Sequence, residues 1–128
     1  MFTIEERRFF AATARGASNL SSCPIKQGAV LVRGHKILST GHNRRIIPSS
    51  DKWESSAVFD AIFSARDVDL TGSALFTTYY PSVEDMKLLI TAGIVTLSFF
   101  GEVNDISSRD LSNSLAPASI PLEIIQLQ

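Results

Sequence analysis

The sequence is short of cysteine, of long hydrophobic runs and of excess charge. With Cys23 as its one cysteine, the chain can form neither an internal disulfide nor a cysteine-rich zinc site. No apolar run reaches the roughly 18 residues that a bilayer span requires, so we expect no membrane partner. The 12 Lys and Arg residues nearly balance the 13 Asp and Glu residues, for a net charge of −1, which excludes a generally basic protein that coats nucleic acid.

The remaining composition is typical of a folded domain. The 128 residues are 45% hydrophobic and 20% charged, which is enough apolar surface for one packed core. We therefore predict a single domain over residues 1–128. The first residues lack the basic-then-apolar order of a secretory signal, and the predicted location is cytoplasmic.

Charge is distributed unevenly along the chain. The net charge is +1 over residues 1–25, +5 over residues 26–52 and −7 over residues 53–128. The second segment therefore predicts a basic face that could receive phosphate groups. The alternative is an ordinary hairpin whose lysines and arginines are solvated.

Apolar periodicity predicts alternating helices and strands. A first helix follows a capping box formed by Thr3 and Glu6 and ends at Gly16 or continues towards Leu20. The further elements are strands over 28–32 and 37–41, a helix over 55–65, a strand over 74–80, a helix from Pro81 to Gly93, a strand over 94–100, an optional short helix over 106–115 and a strand over 122–127. This order predicts an α/β domain with three α/β/α layers around a central mixed sheet of five strands.

Five stretches of the chain, in this order, resemble the cytidine/deoxycytidylate deaminase family. They are residues 26–32 (its first strand), 37–43 (its second strand and a Gly-x-Asn corner), 56–62 (its His-Ala-Glu motif), 74–85 (a strand ending in Thr-x-x-Pro-Cys-x-x-Cys) and 92–96 (Ala-Gly-Ile and the next strand). The likeness extends from about residue 6 to residue 127. It implies the deaminase fold for the whole chain.

The same resemblance implies that the reactive groups of the family are missing. Its zinc ligands correspond to Ser56, Ser82 and Asp85, and its proton-carrying Glu corresponds to Val58. A serine hydroxyl is a poor zinc donor, and a valine has no group that can carry a proton. We therefore predict no catalytic residues, no zinc or other cofactor, and a pseudoenzyme.

A replacement metal site is the weakest alternative. His42, Asp60 and Asp85 could form a cluster beside the degenerate positions, but no ligand spacing supports it. We expect both histidines of the chain to be surface or structural residues.

The corner after the second strand is the candidate binding site. By the resemblance, Asn43 corresponds to the family residue that contacts the sugar of a nucleotide. Arg44 and Arg45 follow it and could hold a phosphate, because one guanidinium group can bind two phosphate oxygens at once. The alternative is a loop asparagine beside two solvated arginines.

Three functions remain open. The first is a non-catalytic subunit or regulatory protein that forms a homo-oligomer, or a hetero-oligomer with an active deaminase homologue. Six aromatic residues are candidates for such an interface: Phe59, Phe63, Tyr79, Tyr80, Phe99 and Phe100. The second is a nucleotide- or nucleic-acid-binding module that uses Asn43, Arg44 and Arg45, and the third is an active deaminase with a rebuilt site.

Overall fold

The computed structural model of the protein describes residues 2–49, 53–100 and 122–127. Within them the helices are α1 (Ile4–Ser18), α2 (Ala57–Ser64) and α3 (Val83–Thr91). The strands are β1 (Gly28–Arg33), β2 (Lys36–His42), β3 (Arg44–Arg45), β4 (Glu54–Ser55), β5 (Ala74–Thr77), β6 (Thr96–Phe100) and β7 (Glu123–Leu127).

The main sheet has five strands in the order β2-β1-β5-β6-β7. Strand β1 runs antiparallel to both of its neighbours, whereas β5, β6 and β7 are mutually parallel. The remaining two strands, β3 and β4, form a separate antiparallel ribbon. The predicted mixed sheet of five strands is therefore confirmed, and the short ribbon is a feature that the sequence pattern did not predict.

The two faces of the sheet bury different side chains, because successive residues of a strand point in opposite directions. Val30 and Phe76 pack with Phe10 of α1 in one cluster. Leu31 and Leu75 belong to the cluster on the other face, together with buried residues of α2 and α3. This division confirms the three-layer α/β/α architecture and places α1 on the opposite side of the sheet from α2 and α3.

Close packing of α2 on the sheet depends on Gly41. A Cβ atom at this position would lie 2.4 Å from both the carbonyl oxygen of Ala57 and the backbone nitrogen of Ala61. Because these are backbone atoms, any side chain at Gly41 would push the helix away. The glycine therefore fixes the depth at which the N-terminal end of α2 lies against β2.

Several element ends differ from their predicted positions. Helix α1 takes the longer of its two predicted courses and continues past Gly16 to Ser18, since glycine in a helix costs only about 1 kcal/mol relative to alanine and need not end it. Strand β5 ends at Thr77, whose hydroxyl donates a hydrogen bond of 2.6 Å to the carbonyl of Tyr79 and turns the chain. Pro81 lies directly before Ser82, the N-cap residue of α3, and is therefore outside the helix.

Two predictions fall on residues outside the described ranges. The optional helix over 106–115 lies entirely outside them, and the single domain over 1–128 includes other such residues, so both stay predictions. None of the helices described in the structure is long and apolar enough to cross a membrane.

Candidate functional site

The N-terminal ends of α2 and α3 meet beside the ends of β2 and β5, and each is capped by a serine. The hydroxyl of Ser56 accepts a hydrogen bond of 3.0 Å from the backbone N–H of Phe59. The hydroxyl of Ser82 accepts one of 3.2 Å from the backbone N–H of Asp85, which completes a capping box. Two of the positions that the resemblance assigns to zinc ligands therefore have an ordinary helix-capping role.

Asp85 connects these two helix ends. Its carboxylate accepts hydrogen bonds from the hydroxyl of Ser56 at 2.5 Å, from the hydroxyl of Tyr79 at 2.9 Å and from the backbone N–H of Ser82 at 3.4 Å. Asp85 is only 4% exposed. A carboxylate in the first turn of a helix is favoured by the positive end of the helix dipole, which offsets part of the cost of burial. We call Asp85, Ser56 and Tyr79 the Asp85 cluster.

Tyr79 is the member of this cluster that the sequence did not predict. Its hydroxyl donates to Asp85 and accepts a hydrogen bond of 3.3 Å from the backbone N–H of Val58. Burial raises the pKa of Tyr79 well above its ordinary value, and the neighbouring charge of Asp85 raises it further. The side chain is thus a neutral hydrogen-bond bridge between α2 and α3.

The cluster does not offer the donor set of a deaminase zinc centre. Zinc sites use Cys, His and Asp or Glu, and here the three ligand positions carry two serines and Asp85. Both carboxylate oxygens of Asp85 already accept hydrogen bonds. Val58, at the position of the proton carrier, is fully buried in the hydrophobic core. The structure brings Ser56, Ser82 and Asp85 together as the resemblance implies, while the absence of zinc stays a prediction.

The predicted alternative metal cluster does not form as a set of three ligands. His42 lies beside Asp60, with 4.0 Å between Nδ1 and the carboxylate, but Asp85 is engaged with Ser56 and Tyr79. Among the described residues, no group of three or more His, Cys, Asp or Glu side chains is arranged to hold a metal ion.

Asn43 is buried and holds the backbone around it together. It is 2% exposed, and its amide oxygen accepts a hydrogen bond of 2.9 Å from the backbone N–H of Gln27. Its amide nitrogen donates to the carbonyl of Ile25 at 2.7 Å and to the carboxylate of Glu54 at 3.1 Å. Both donor hydrogens of this amide are therefore used within the protein.

Arg44 is anchored by a neighbouring carboxylate. Its Nε lies 2.9 Å from Asp60, whose other oxygen accepts a hydrogen bond of 3.0 Å from the backbone N–H of His42. Arg44 and Arg45 form the whole of β3, and together with His42 and Asn43 they line a depression of about 410 Å³. We call this region the Asp60 corner.

A different surface, apolar in character, lies on α2 and α3. Phe59 and Phe63 stack on each other with 5.8 Å between ring centroids, and they are 43% and 54% exposed. They line a groove of about 390 Å³ with Ile62, Leu88 and Ala92. We call this surface the Phe59 face.

The other four predicted interface aromatics have different positions. Tyr79 belongs to the Asp85 cluster. Tyr80 packs edge-on against the buried Phe99 with 4.9 Å between ring centroids, and the ring of Phe100 is covered by Arg15 at 4.6 Å. Each of these four aromatic residues therefore has a contact within the chain. Of the six predicted interface aromatics, Phe59 and Phe63 are the exposed pair.

The architecture is the cytidine/deoxycytidylate deaminase fold, because solved structures of deaminases match almost the whole chain. No family model and no curated protein matches the sequence. The structure is similar to dCMP deaminase from the cyanophage S-TIM5 in complex with dCMP and dUMP, with a TM-score of 0.84 at 20% sequence identity over 99% of this chain and 100% of that chain. These findings confirm the predicted resemblance at the level of the fold.

Two further solved structures are similar, with lower TM-scores. One is a diaminohydroxyphosphoribosylaminopyrimidine deaminase/5-amino-6-(5-phosphoribosylamino)uracil reductase from Thermotoga maritima, with a TM-score of 0.73 and 21% identity over 95% of this chain and 36% of that chain. The other is cytidine deaminase from Burkholderia pseudomallei, with a TM-score of 0.57 and 23% identity over 86% of this chain and 96% of that chain.

Proposed function

We propose that this chain is a non-catalytic protein of the deaminase fold that acts as a subunit or regulatory partner. The observation that supports the proposal is the Asp85 cluster, in which Ser56 and Asp85, two of the positions that the resemblance assigns to zinc ligands, hydrogen-bond to each other, and Asp85 also accepts from Tyr79. A deaminase needs a metal-activated water and a proton carrier beside it. Neither the serines nor Val58 can supply those functions.

Zinc content and ammonia release test this proposal directly. We expect the purified protein to contain no stoichiometric zinc by elemental analysis and to release no ammonia from cytidine, dCMP or adenosine. The matched control carries Ser56→His, Val58→Glu, Ser82→Cys and Asp85→Cys, which places the family groups at all four positions. Bound zinc at one ion per chain in the unaltered protein, or ammonia above the blank, would overturn the proposal and favour an active deaminase with a rebuilt site.

The Phe59 face supports the role as a subunit. Exposed apolar patches mark interaction surfaces, and the stacked pair of Phe59 and Phe63 provides a rigid apolar area with little side-chain entropy to lose. Arg66 lies over the ring of Phe63 at 4.6 Å, and Asp69 lines the same groove, so the surface carries both signs of charge. A surface with both signs can pair with a second copy of itself around a two-fold axis.

The oligomeric state tests this assignment. We expect the unaltered protein to form a homo-oligomer by light scattering after gel filtration, and we expect Phe59→Ser with Phe63→Ser to shift it towards the monomer. Phe9→Ser is the matched control, because Phe9 is also exposed but lies on α1, across the sheet. A monomeric unaltered protein that captures an active deaminase from its host, through Phe59 and Phe63, would select the hetero-oligomer instead. An assembly insensitive to the double substitution would contradict the use of this face.

A second candidate function is nucleotide binding at the Asp60 corner, and the depression that Arg44 and Arg45 line favours it. Because the donors of Asn43 are used internally, the two arginines carry this candidate rather than the asparagine. Binding of dCMP should weaken as salt rises and disappear in the Arg44→Ala and Arg45→Ala double variant. Binding that is unchanged in that variant would exclude the Asp60 corner as the nucleotide site.

We also propose that the protein is located in the cytoplasm.

A further inference from the structure

A second basic surface lies on the other side of the sheet, along α1. Three arginines, Arg7, Arg8 and Arg15, line a groove of about 400 Å³ between α1 and the ends of β6 and β7. Because α1 covers the face opposite α2 and α3, this groove is separated by the sheet from the Asp85 cluster and the Phe59 face. We call it the arginine groove.

The positions of the arginines follow from the helix itself. Arg8 and Arg15 are seven residues apart, which is close to two turns, so they share one face with about 10 Å between them along the axis. Arg7 extends the positive charge at the N-terminal end of the same groove. The two ends of the groove can therefore contact two separate anionic groups of one ligand.

Arg7, Arg8 and Arg15 make no ion pair with the parts of the chain that the structure describes. The ion pairs in those parts instead include the carboxylates of Glu6, with His35, and Asp60, with Arg44. The described residues that line the groove include no Asp or Glu. Arginines on an exposed helix that have no carboxylate partner among the described residues can bind phosphate or carboxylate groups from solution.

The floor of the groove is apolar. Ile4, Ala11, Phe100 and Leu127 line it between the arginines. The guanidinium of Arg15 covers the ring of Phe100 at 4.6 Å, which orients the arginine while its N–H groups at the edge stay available for hydrogen bonds. A purely inorganic anion would leave this apolar floor in contact with water, whereas a ligand with an apolar or aromatic part would cover it.

The size of the groove and the net charge of the protein indicate a small ligand. A volume of about 400 Å³ is within the range of small-molecule sites. Three arginines neutralise only a few phosphates. A chain of net charge −1 therefore gains little electrostatic binding energy from the remaining phosphates of a long polyanion. We propose that the arginine groove binds a small organic polyphosphate, with its phosphates on the arginines and its apolar part on the floor.

Isothermal titration of the full chain with ATP in low salt, without divalent cations, tests the proposal. ATP serves as the probe because it combines a triphosphate with a flat aromatic part. We expect one site per chain, weaker binding of inorganic tripolyphosphate and no binding of adenosine. Arg8→Gln with Arg15→Gln should lower the affinity for ATP by about tenfold or more.

Two further variants separate a specific site from general charge. Arg7→Gln with Arg8→Gln leaves the contact between Arg15 and Phe100 intact and should also lower the affinity about tenfold. Arg33→Gln with Lys36→Gln removes the same charge from the exposed hairpin between β1 and β2 and should change the affinity less than about twofold. Equal losses in groove and hairpin variants would overturn the proposal.

Two other outcomes would also overturn it. Tripolyphosphate that binds as tightly as ATP would show that the apolar floor contributes nothing to recognition. A ten-nucleotide single-stranded DNA that binds more tightly than ATP would assign the groove to nucleic acid. Thermal melting of each variant checks that a loss of binding does not arise from a loss of folding.

Discussion

Asp85 and Asp60 organise two neighbouring corners of the molecule by opposite means. Asp85 is buried and accepts hydrogen bonds from the neutral hydroxyls of Ser56 and Tyr79. Asp60 is partly exposed and accepts one from the charged side chain of Arg44, which is itself 55% exposed. The difference matters because buried hydrogen bonds have no water to replace them, whereas an exposed ion pair is readily replaced by water and salt.

The same comparison explains how hydrogen bonds can join two helix ends. In the Asp85 cluster, the N-terminal ends of α2 and α3 converge, and one carboxylate satisfies donors from both of them. Hydrogen bonds thereby connect the two helices at the point where a deaminase would connect them through a metal. We therefore expect the stability of this corner to depend on Asp85 and to be insensitive to chelators.

The largest expected effect is that of Asp85→Ala. Removing the carboxylate leaves the hydroxyls of Ser56 and Tyr79 without their acceptor, and we expect the free energy of unfolding to fall by about 3 kcal/mol. Urea denaturation measures this loss, with EDTA in a parallel series. Asp60→Ala is the matched control, with an expected loss of about 1 kcal/mol. Equal losses at the two positions would contradict the distinction between the two corners.

Removal of the tyrosine hydroxyl should have an intermediate effect. Tyr79→Phe leaves the N–H of Val58 without a partner and removes the shorter of the two hydrogen bonds to Oδ2 of Asp85, and we expect a loss of about 1 to 2 kcal/mol. A Tyr79→Phe variant as stable as the unaltered protein would show that the hydroxyl does not bridge the helices.

The raised pKa of Tyr79 predicts a specific alkaline response. An unfolded tyrosine ionises near pH 10.0, and burial raises the pKa of Tyr79 in the folded protein. Tyr79 therefore loses its proton more easily in the unfolded state than in the folded state. The resulting stabilisation is present in full below pH 10 and is lost as the pH rises through the folded pKa. Absorbance titration should show a late-ionising tyrosine that is absent from Tyr79→Phe, and ionisation of both tyrosines near pH 10 would contradict this.

Most of the fold could be predicted from the sequence because its signals are local. Short apolar runs in the strands and the helix spacing of Ala57, Val58 and Ala61 reflect which side chains face the core. The two-residue ribbon of β3 and β4 was missed because its strands are too short to show any period. Its pairing also depends on Asn43, which bonds Glu54 across eleven positions of the chain.

The candidate site was predictable in position but not in its hydrogen bonds. The resemblance implies that Ser56, Ser82 and Asp85 lie close together, and the structure brings them within hydrogen-bond distance because the order of the strands and helices fixes where they lie. It did not predict Tyr79, since an aromatic residue after a strand is as typical of the core as of a site. The available signal for Tyr79 was its spacing from Asp85, six residues further on and past the N-cap of α3. This spacing indicates a contact only when Asp85 is known to face inwards.

The smallest expected effect is that of Arg44→Ala, and its salt dependence sharpens the comparison. Because Arg44 is half exposed, its ion pair with Asp60 should contribute about 0.5 kcal/mol or less at low ionic strength, and 1 M NaCl should screen most of it. Urea denaturation at both salt concentrations measures this, with Lys87→Ala as a control for loss of another exposed pair. The loss caused by Asp85→Ala should be nearly the same at both concentrations, because hydrogen bonds between buried groups are not screened by ions in the solvent. If 1 M NaCl also abolished the loss of stability caused by Asp85→Ala, screened charge interactions would stabilise both corners. That result would contradict the interpretation that buried hydrogen bonds connect α2 and α3.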